Sequence, residues 1–147
     1  MSPPPDSRTP APALLLGLGG LIPFVGGAVL HVLTHDPRWL PALAGYGAVI
    51  LSFVGAVHWG FAVRDAPTGA AAWWRFGWSV VPALIGWICL LLEPAAGVLG
   101  LAGALVICLL VDEAFARKNS SPAWFMPLRR LLTAGSATSL LAAGLLS

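Results

Sequence analysis

Long apolar runs separated by brief polar punctuation set the pattern of this chain. Five segments, at about 13–34, 39–63, 73–92, 95–113 and 127–146, each come close to the roughly 20 apolar residues that a helix needs to cross a 30 Å hydrocarbon core. His35-Asp36-Pro37-Arg38 closes the first and Arg64-Asp65-Ala66-Pro67 the second, while Glu93-Pro94 makes a tight turn after the third. Arg117-Lys118-Asn119-Ser120-Ser121-Pro122 forms the longest loop, ahead of the fifth. Pro23 and Pro82 fall inside the first and third segments, where each removes a backbone donor and predicts a kink. The pattern therefore predicts an all-α membrane protein, a five-transmembrane-helix bundle over 13–147 behind a disordered, proline-rich tail over 1–12.

The composition agrees. The chain of 147 residues is 58% hydrophobic and only 10% charged, against about 25% charged in a soluble domain. Its mean hydropathy is +0.85. A net charge of +2 gives no footprint for nucleic acid. The N-terminus lacks the charged n-region and small-residue cleavage site of a signal peptide, so the first segment is read as a retained span. Cys89 and Cys108 lie on opposite arms of the Glu93-Pro94 hairpin at depths about 15 Å apart, too far for a disulfide, and are read as packing residues.

The placement of the charges sets an orientation. With five spans, one side of the membrane receives Arg8, Arg64, Arg75, Arg117, Lys118, Arg129 and Arg130, and the other only Arg38. Basic loops stay cytoplasmic, so the N-terminus is expected in the cytoplasm and the C-terminus outside. Trp73, Trp74 and Trp124 beside the basic loops and Trp39 at the opposite face suit interfacial anchors. Arg129 and Arg130 are expected to snorkel to the headgroups.

Two stripes of small residues mark helix-packing faces. Gly45, Ala48, Ser52, Gly55 and Ala56, ending at Trp59, fall on one narrow face of the second span at about 100° per residue. Gly97, Gly100, Ala104 and Cys108, ending at Asp112, do the same on the fourth. Small residues let backbones approach in lipid, where hydrophobicity no longer drives helices together.

The stretch YGAVILSFVGAVHWG at 46–60 resembles the family of small membrane proteins related to transmembrane protein sixty-nine, a domain of unknown function. LGLGGLIPF in the first span, WSVVPALIGW in the third and PAWFMPLRRLLT before the fifth extend the resemblance from about Leu14 to Leu146. In the last of these, Trp124-Phe125 and Arg129 fill the aromatic pair and basic residue of the family pattern. The resemblance implies a multi-span protein of bacterial inner membranes or mitochondria, and brings no activity with it. A multi-pass protein of the bacterial cytoplasmic membrane is the expected placement.

Polar residues on the spans gather near the cytoplasmic ends: His58 and Trp59 on the second, Arg75 and Ser79 on the third, Asp112 on the fourth and Arg129 on the fifth. Two readings remain open. In the structural one, Asp112 pairs with Arg129 or Arg75, and His58 donates to a carbonyl or to Ser79, so that the network holds helix register. In the functional one, the six line a headgroup-level pocket for a lipid or quinone, with His58 as donor and Trp59 as apolar wall. The acids Asp36, Asp65, Glu93, Asp112 and Glu113 all sit at span ends, where solvated loop charge is the expectation.

No catalytic residues, metal ligands or resident cofactor are expected. His31 and His58 lie at depths about 20 Å apart and do not share a haem iron. Ser52 and His58 point about 120° apart and no GxSxG elbow is present. The leading expectation is a non-enzymatic membrane protein that binds lipids or partner helices, as an accessory or assembly factor. The alternative is a quinone- or lipid-handling enzyme or carrier built on the cluster around His58. A small transporter is weaker still, for want of charge at mid-membrane.

Overall fold

The computed structural model describes residues 8–118 and 122–147. Its helices are α1 (Ala11–Gly19), α2 (Ile22–Thr34), α3 (Trp39–Asp65), α4 (Gly69–Leu90), α5 (Pro94–Ala116) and α6 (Phe125–Leu145), with no strand among the described residues. The five apolar segments thus become five rods, the first broken in two. Of the tail expected over 1–12, residues 1–7 lie outside the described residues, and α1 begins at Ala11.

Pro23 explains the break. It sits in the first turn of α2 and has no N–H for the carbonyl of Gly19. The chain makes a tight turn at Gly20-Leu21 instead, and the Gly20 carbonyl accepts from the Tyr46 hydroxyl of α3 at 2.9 Å. The Tyr46 ring also meets Phe24 edge-on, at 4.9 Å between centroids. Pro82, by contrast, stays inside a continuous α4.

The turns follow from local chemistry. Asp36 accepts from the backbone N–H of Arg38 and from its guanidinium at 2.7 Å, which pulls the Asp36 carboxyl down to about 2. Glu93 caps α5 by accepting from the N–H groups of Ala95 and Ala96, and Pro94 occupies the first helical position, where its missing donor costs nothing.

The rods pack through small residues and fill the core with leucine. α3 lies chiefly against α4, and α5 against α6. A Cβ on Gly55 would meet the Ser79 carbonyl oxygen at 2.6 Å and Pro82 Cγ at 3.0 Å, so α3 and α4 touch backbone to backbone there. Gly86 sits on Ala48 in the same interface, and Gly97 and Gly100 receive Cys89. Gly45 has nothing within 4 Å and Ala56 is exposed, so the face that packs on α4 is narrower than the stripe in the sequence. Ser52 bonds its own helix, to the Ala48 carbonyl. Leu51, Val98, Leu101, Leu105 and Leu140 are fully buried with Ala104 and Cys108 among them, and both cysteines are free.

Three helical stretches rather than five are long and apolar enough on their own to cross a membrane: Ala11–Thr34, Trp39–Asp65 and Pro94–Ala116. α4 falls short because it carries Arg75 and four tryptophans, and α6 because it carries Arg129, Arg130 and a run of hydroxyls.

Candidate functional site

The one buried charged cluster in the described structure is assembled from α3, α5 and α6. Residue 58 lies two turns from the end of α3, residue 112 about one turn from the end of α5, and residue 129 one turn into α6. Those positions come to one depth at the end of the bundle that carries the basic loops. Asp112 takes both partners: His58 Nε2 lies 2.7 Å from Oδ1, and Arg129 Nε donates to Oδ2 at 2.7 Å. Facing a carboxylate oxygen, Nε2 of His58 is the donor. Arg129 Nη1 also donates to Thr133 Oγ1, one turn along α6, at 2.6 Å.

All four residues are buried, with His58 5%, Asp112 7%, Arg129 9% and Thr133 2% exposed. Two expectations are corrected here. Arg129 does not snorkel to a headgroup; it turns inward because Asp112 lies within reach, and a buried charge is tolerable only when paired. Asp112 is likewise a buried, doubly bonded carboxylate rather than a solvated loop charge. Arg130, next along α6, does face outward and pairs with Glu113 at the surface. One donor is left over: Arg129 Nη2 is buried and meets no acceptor among the described residues. A buried donor without a partner costs about 1–3 kcal/mol.

A plug of phenylalanines covers His58. Phe115 meets its ring edge-on at 5.2 Å and Phe61 at 6.3 Å; Phe61 stacks on Phe115 and meets Phe125 edge-on. The sequence reading missed these rings and Thr133, yet their spacing held the signal. Phe61 follows His58 by three residues, Phe115 follows Asp112 by three, and Phe125 precedes Arg129 by four. Each therefore lies one turn toward the same end on the same helix face.

Three of the six candidate residues, His58, Asp112 and Arg129, are bonded together. The other three lie apart. Arg75 donates instead to Asp65 at 2.7 Å, where Arg64 also binds, and approaches the cluster only by lying over the Phe115 ring at 4.9 Å. Ser79 donates to the Phe76 carbonyl of its own helix. Trp59 is 49% exposed and rests against Phe76. His31 is buried on α2 away from the cluster, with neither ring nitrogen bonded among the described residues. No group of three or more His, Cys, Asp or Glu suited to a metal occurs among the described residues.

An apolar cleft of about 430 Å³ adjoins the cluster, lined by α1, α2, α3, α5 and α6. Asp112 and Arg129 form part of its wall, while His58 and Trp59 do not.

Helices with apolar outer faces around a buried His–Asp–Arg network define a polytopic membrane protein rather than a soluble domain. The family model described as "Protein of unknown function (DUF3429)" matches residues 9–145, and the chain belongs to that family. It is 42% identical over 136 residues to Transmembrane protein 69 of Xenopus tropicalis, covering 89% of this chain and 53% of that protein. With Transmembrane protein 69 of Mus musculus it shares 29% over 135 residues, covering 85% and 52%. The chain thus spans about half the length of these relatives. No solved structure matches it.

Proposed function

We propose that this chain is a non-enzymatic, five-span membrane protein of the bacterial cytoplasmic membrane that binds lipids or partner helices in an accessory role. The observation that carries this reading is the enclosure of His58. Its Nε2 is committed to Asp112, phenylalanine rings cover it, and it lies outside the wall of the cleft, so the residue best suited to acid–base work has no path to a substrate. α4 and α6 belong among the spans for two reasons. At about 33 and 32 Å they match the hydrocarbon core, and their large outward side chains within it are apolar, Val80, Leu84 and Ile88 on α4 and Leu131, Leu141 and Leu145 on α6, with Arg130 at the basic end and Thr138 the polar residues exposed on α6. The inward hydroxyls of Ser136 and Ser139 bond to carbonyls of their own helix, which removes the cost of placing them in lipid.

Purification of the full chain in mild detergent, followed by mass spectrometry of co-purifying lipids, quinones and proteins, tests the reading. Retained lipid or a stoichiometric partner helix is the expected result. Reproducible turnover of a quinone or lipid by the isolated monomer would overturn it.

A further inference from the structure

α1 and α2 come from one apolar run, yet the bundle holds them very differently. α2 buries Phe24, Gly27, Ala28 and His31, and Leu43 of α3 seats against Gly27. α1 buries none of its residues and meets chiefly α6, where Gly17 receives the ends of Leu132 and Leu128. Its side chains are all apolar. Contact of that kind adds little in lipid, because hydrocarbon tails meet leucine about as well as another helix does. α6 scarcely touches α3, and α1 closes one side of the cleft left between them, with Ala13, Leu16 and Gly17 in its wall.

The backbone between α1 and α2 is interrupted. The N–H groups of Gly20 and Leu21 bond back into α1, at Leu16, Gly17 and Leu18, and the Leu21 carbonyl bonds forward to Val25. In a continuous helix the carbonyls of Gly19 and Gly20 would accept from residues 23 and 24. Pro23 has no N–H to give Gly19, and the Gly20 carbonyl accepts instead from the Tyr46 hydroxyl at 2.9 Å. A backbone carbonyl in lipid has to keep a partner, whichever one it takes. The Gly20 carbonyl has a choice of two. The Tyr46 hydroxyl holds the bend, and the Phe24 N–H, one turn along, takes its place when the chain straightens. A Cβ on Gly19 would meet nothing within 4 Å, which leaves room for the movement, while Leu21 rests on Gly135 of α6 and fixes the pivot.

We propose that residues 19–21 form a two-position hinge. In the bent position Gly20 bonds to Tyr46 and α1 lies on α6, closing that side of the cleft. In the straightened position the Gly20 carbonyl returns to the Phe24 N–H, α1 leaves α6, and Leu128 and Leu132 face the bilayer. The hinge rests on the membrane setting of the chain and not on its accessory role, and it assigns the cleft no occupant.

Double electron–electron resonance on the full chain in lipid nanodiscs tests it, with nitroxides at Leu15→Cys on α1 and Val63→Cys on α3, both exposed positions. Cys89 and Cys108 are buried and out of the label's reach. The chain should show one principal separation and a second, minor one. Tyr46→Phe removes the competing donor and should raise the minor population about three-fold or more. Gly17→Val wedges α1 from Leu132 and should raise it likewise. Gly19→Ala stiffens the junction without meeting a neighbour and should lower it about two-fold or more. A control pair at Leu33→Cys on α2 and Val63→Cys should keep one separation throughout. A single Leu15–Val63 separation common to all these chains, or a rise with Gly19→Ala, would overturn the hinge. So would a control pair that moves in step, because the motion would then belong to the whole of α2. Should Tyr46→Phe fail to fold, Gly17→Val decides, and an unchanged distribution in that variant overturns the hinge. None of these results bears on co-purification or turnover, by which the accessory role is judged.

Discussion

Asp112 accepts from donors on two other helices, and both of its oxygens are committed at 2.7 Å. The carboxylate matters less for net stability than for the charge its loss would strand. A buried ion pair replaced by well-packed apolar residues often costs little, whereas one partner removed alone leaves an uncompensated charge, at about 3–5 kcal/mol. Asp112→Leu alone should therefore lower the thermal unfolding midpoint in detergent sharply, and adding Arg129→Met should recover at least half of that loss. A double variant no better than the single one would show that the pair contributes more than mutual neutralisation. His31 is the opposite case, a buried ring with both nitrogens unpartnered among the described residues. Replacing such a group with an apolar one of similar size is neutral or stabilising. His31→Leu should raise stability by about 1 kcal/mol, and a lowered unfolding midpoint would point to a bond that His31 makes elsewhere.

Among the helices, small residues act only where a neighbour arrives. Gly45 and Gly55 stand on one stripe in the sequence, ten residues apart, yet only Gly55 faces backbone. Gly55→Ala drives a methyl group into the Ser79 carbonyl and the Pro82 ring, neither of which is a flexible side-chain end. Overpacking of this kind costs about 1–3 kcal/mol. Gly45→Ala enters open space and should be neutral or stabilising by up to about 1 kcal/mol, through reduced backbone entropy of the unfolded chain. The two variants, compared by circular dichroism melts, should separate in that order; equal effects would mean that α3 and α4 are not held at contact distance there. The stripe was legible from its period. The register against α4 was not, because it depends on where Pro82 and the Ser79 carbonyl fall on the facing helix.

The whole molecule is a bundle with one basic end. Seven of its eight Lys and Arg residues fall to that end under a five-span path, and the Asp65–Arg75 and Glu113–Arg130 pairs gather there. Three crossings or five both place the C-terminus opposite the N-terminus, but they differ in whether α4 and α6 cross. An alkaline phosphatase fusion after Ser147 should be active and one in the 66–68 turn inactive, with a fusion in the Leu91–Glu93 turn active only if α4 crosses. An inactive fusion at that turn would reduce the path to the three helices that are apolar enough by themselves.

By itself the sequence determined the class of protein, the five rods to within a few residues at most ends, and the basic asymmetry. All three come from local properties: the length of apolar runs, the residues that stop helices, and the position of charge. It also brought His58, Asp112 and Arg129 into one candidate group, since antiparallel rods of known length place those positions at equal depth. The tertiary structure alone decided which of them bond. Arg75 and Arg129 were equivalent candidates for Asp112 along the chain, and only the packing of α5 against α6, with Arg75 drawn off by Asp65, separated them. The cleft was hidden for the same reason. A gap between α3 and α6 is a property of how helices lean on one another, and no periodicity within either helix records it.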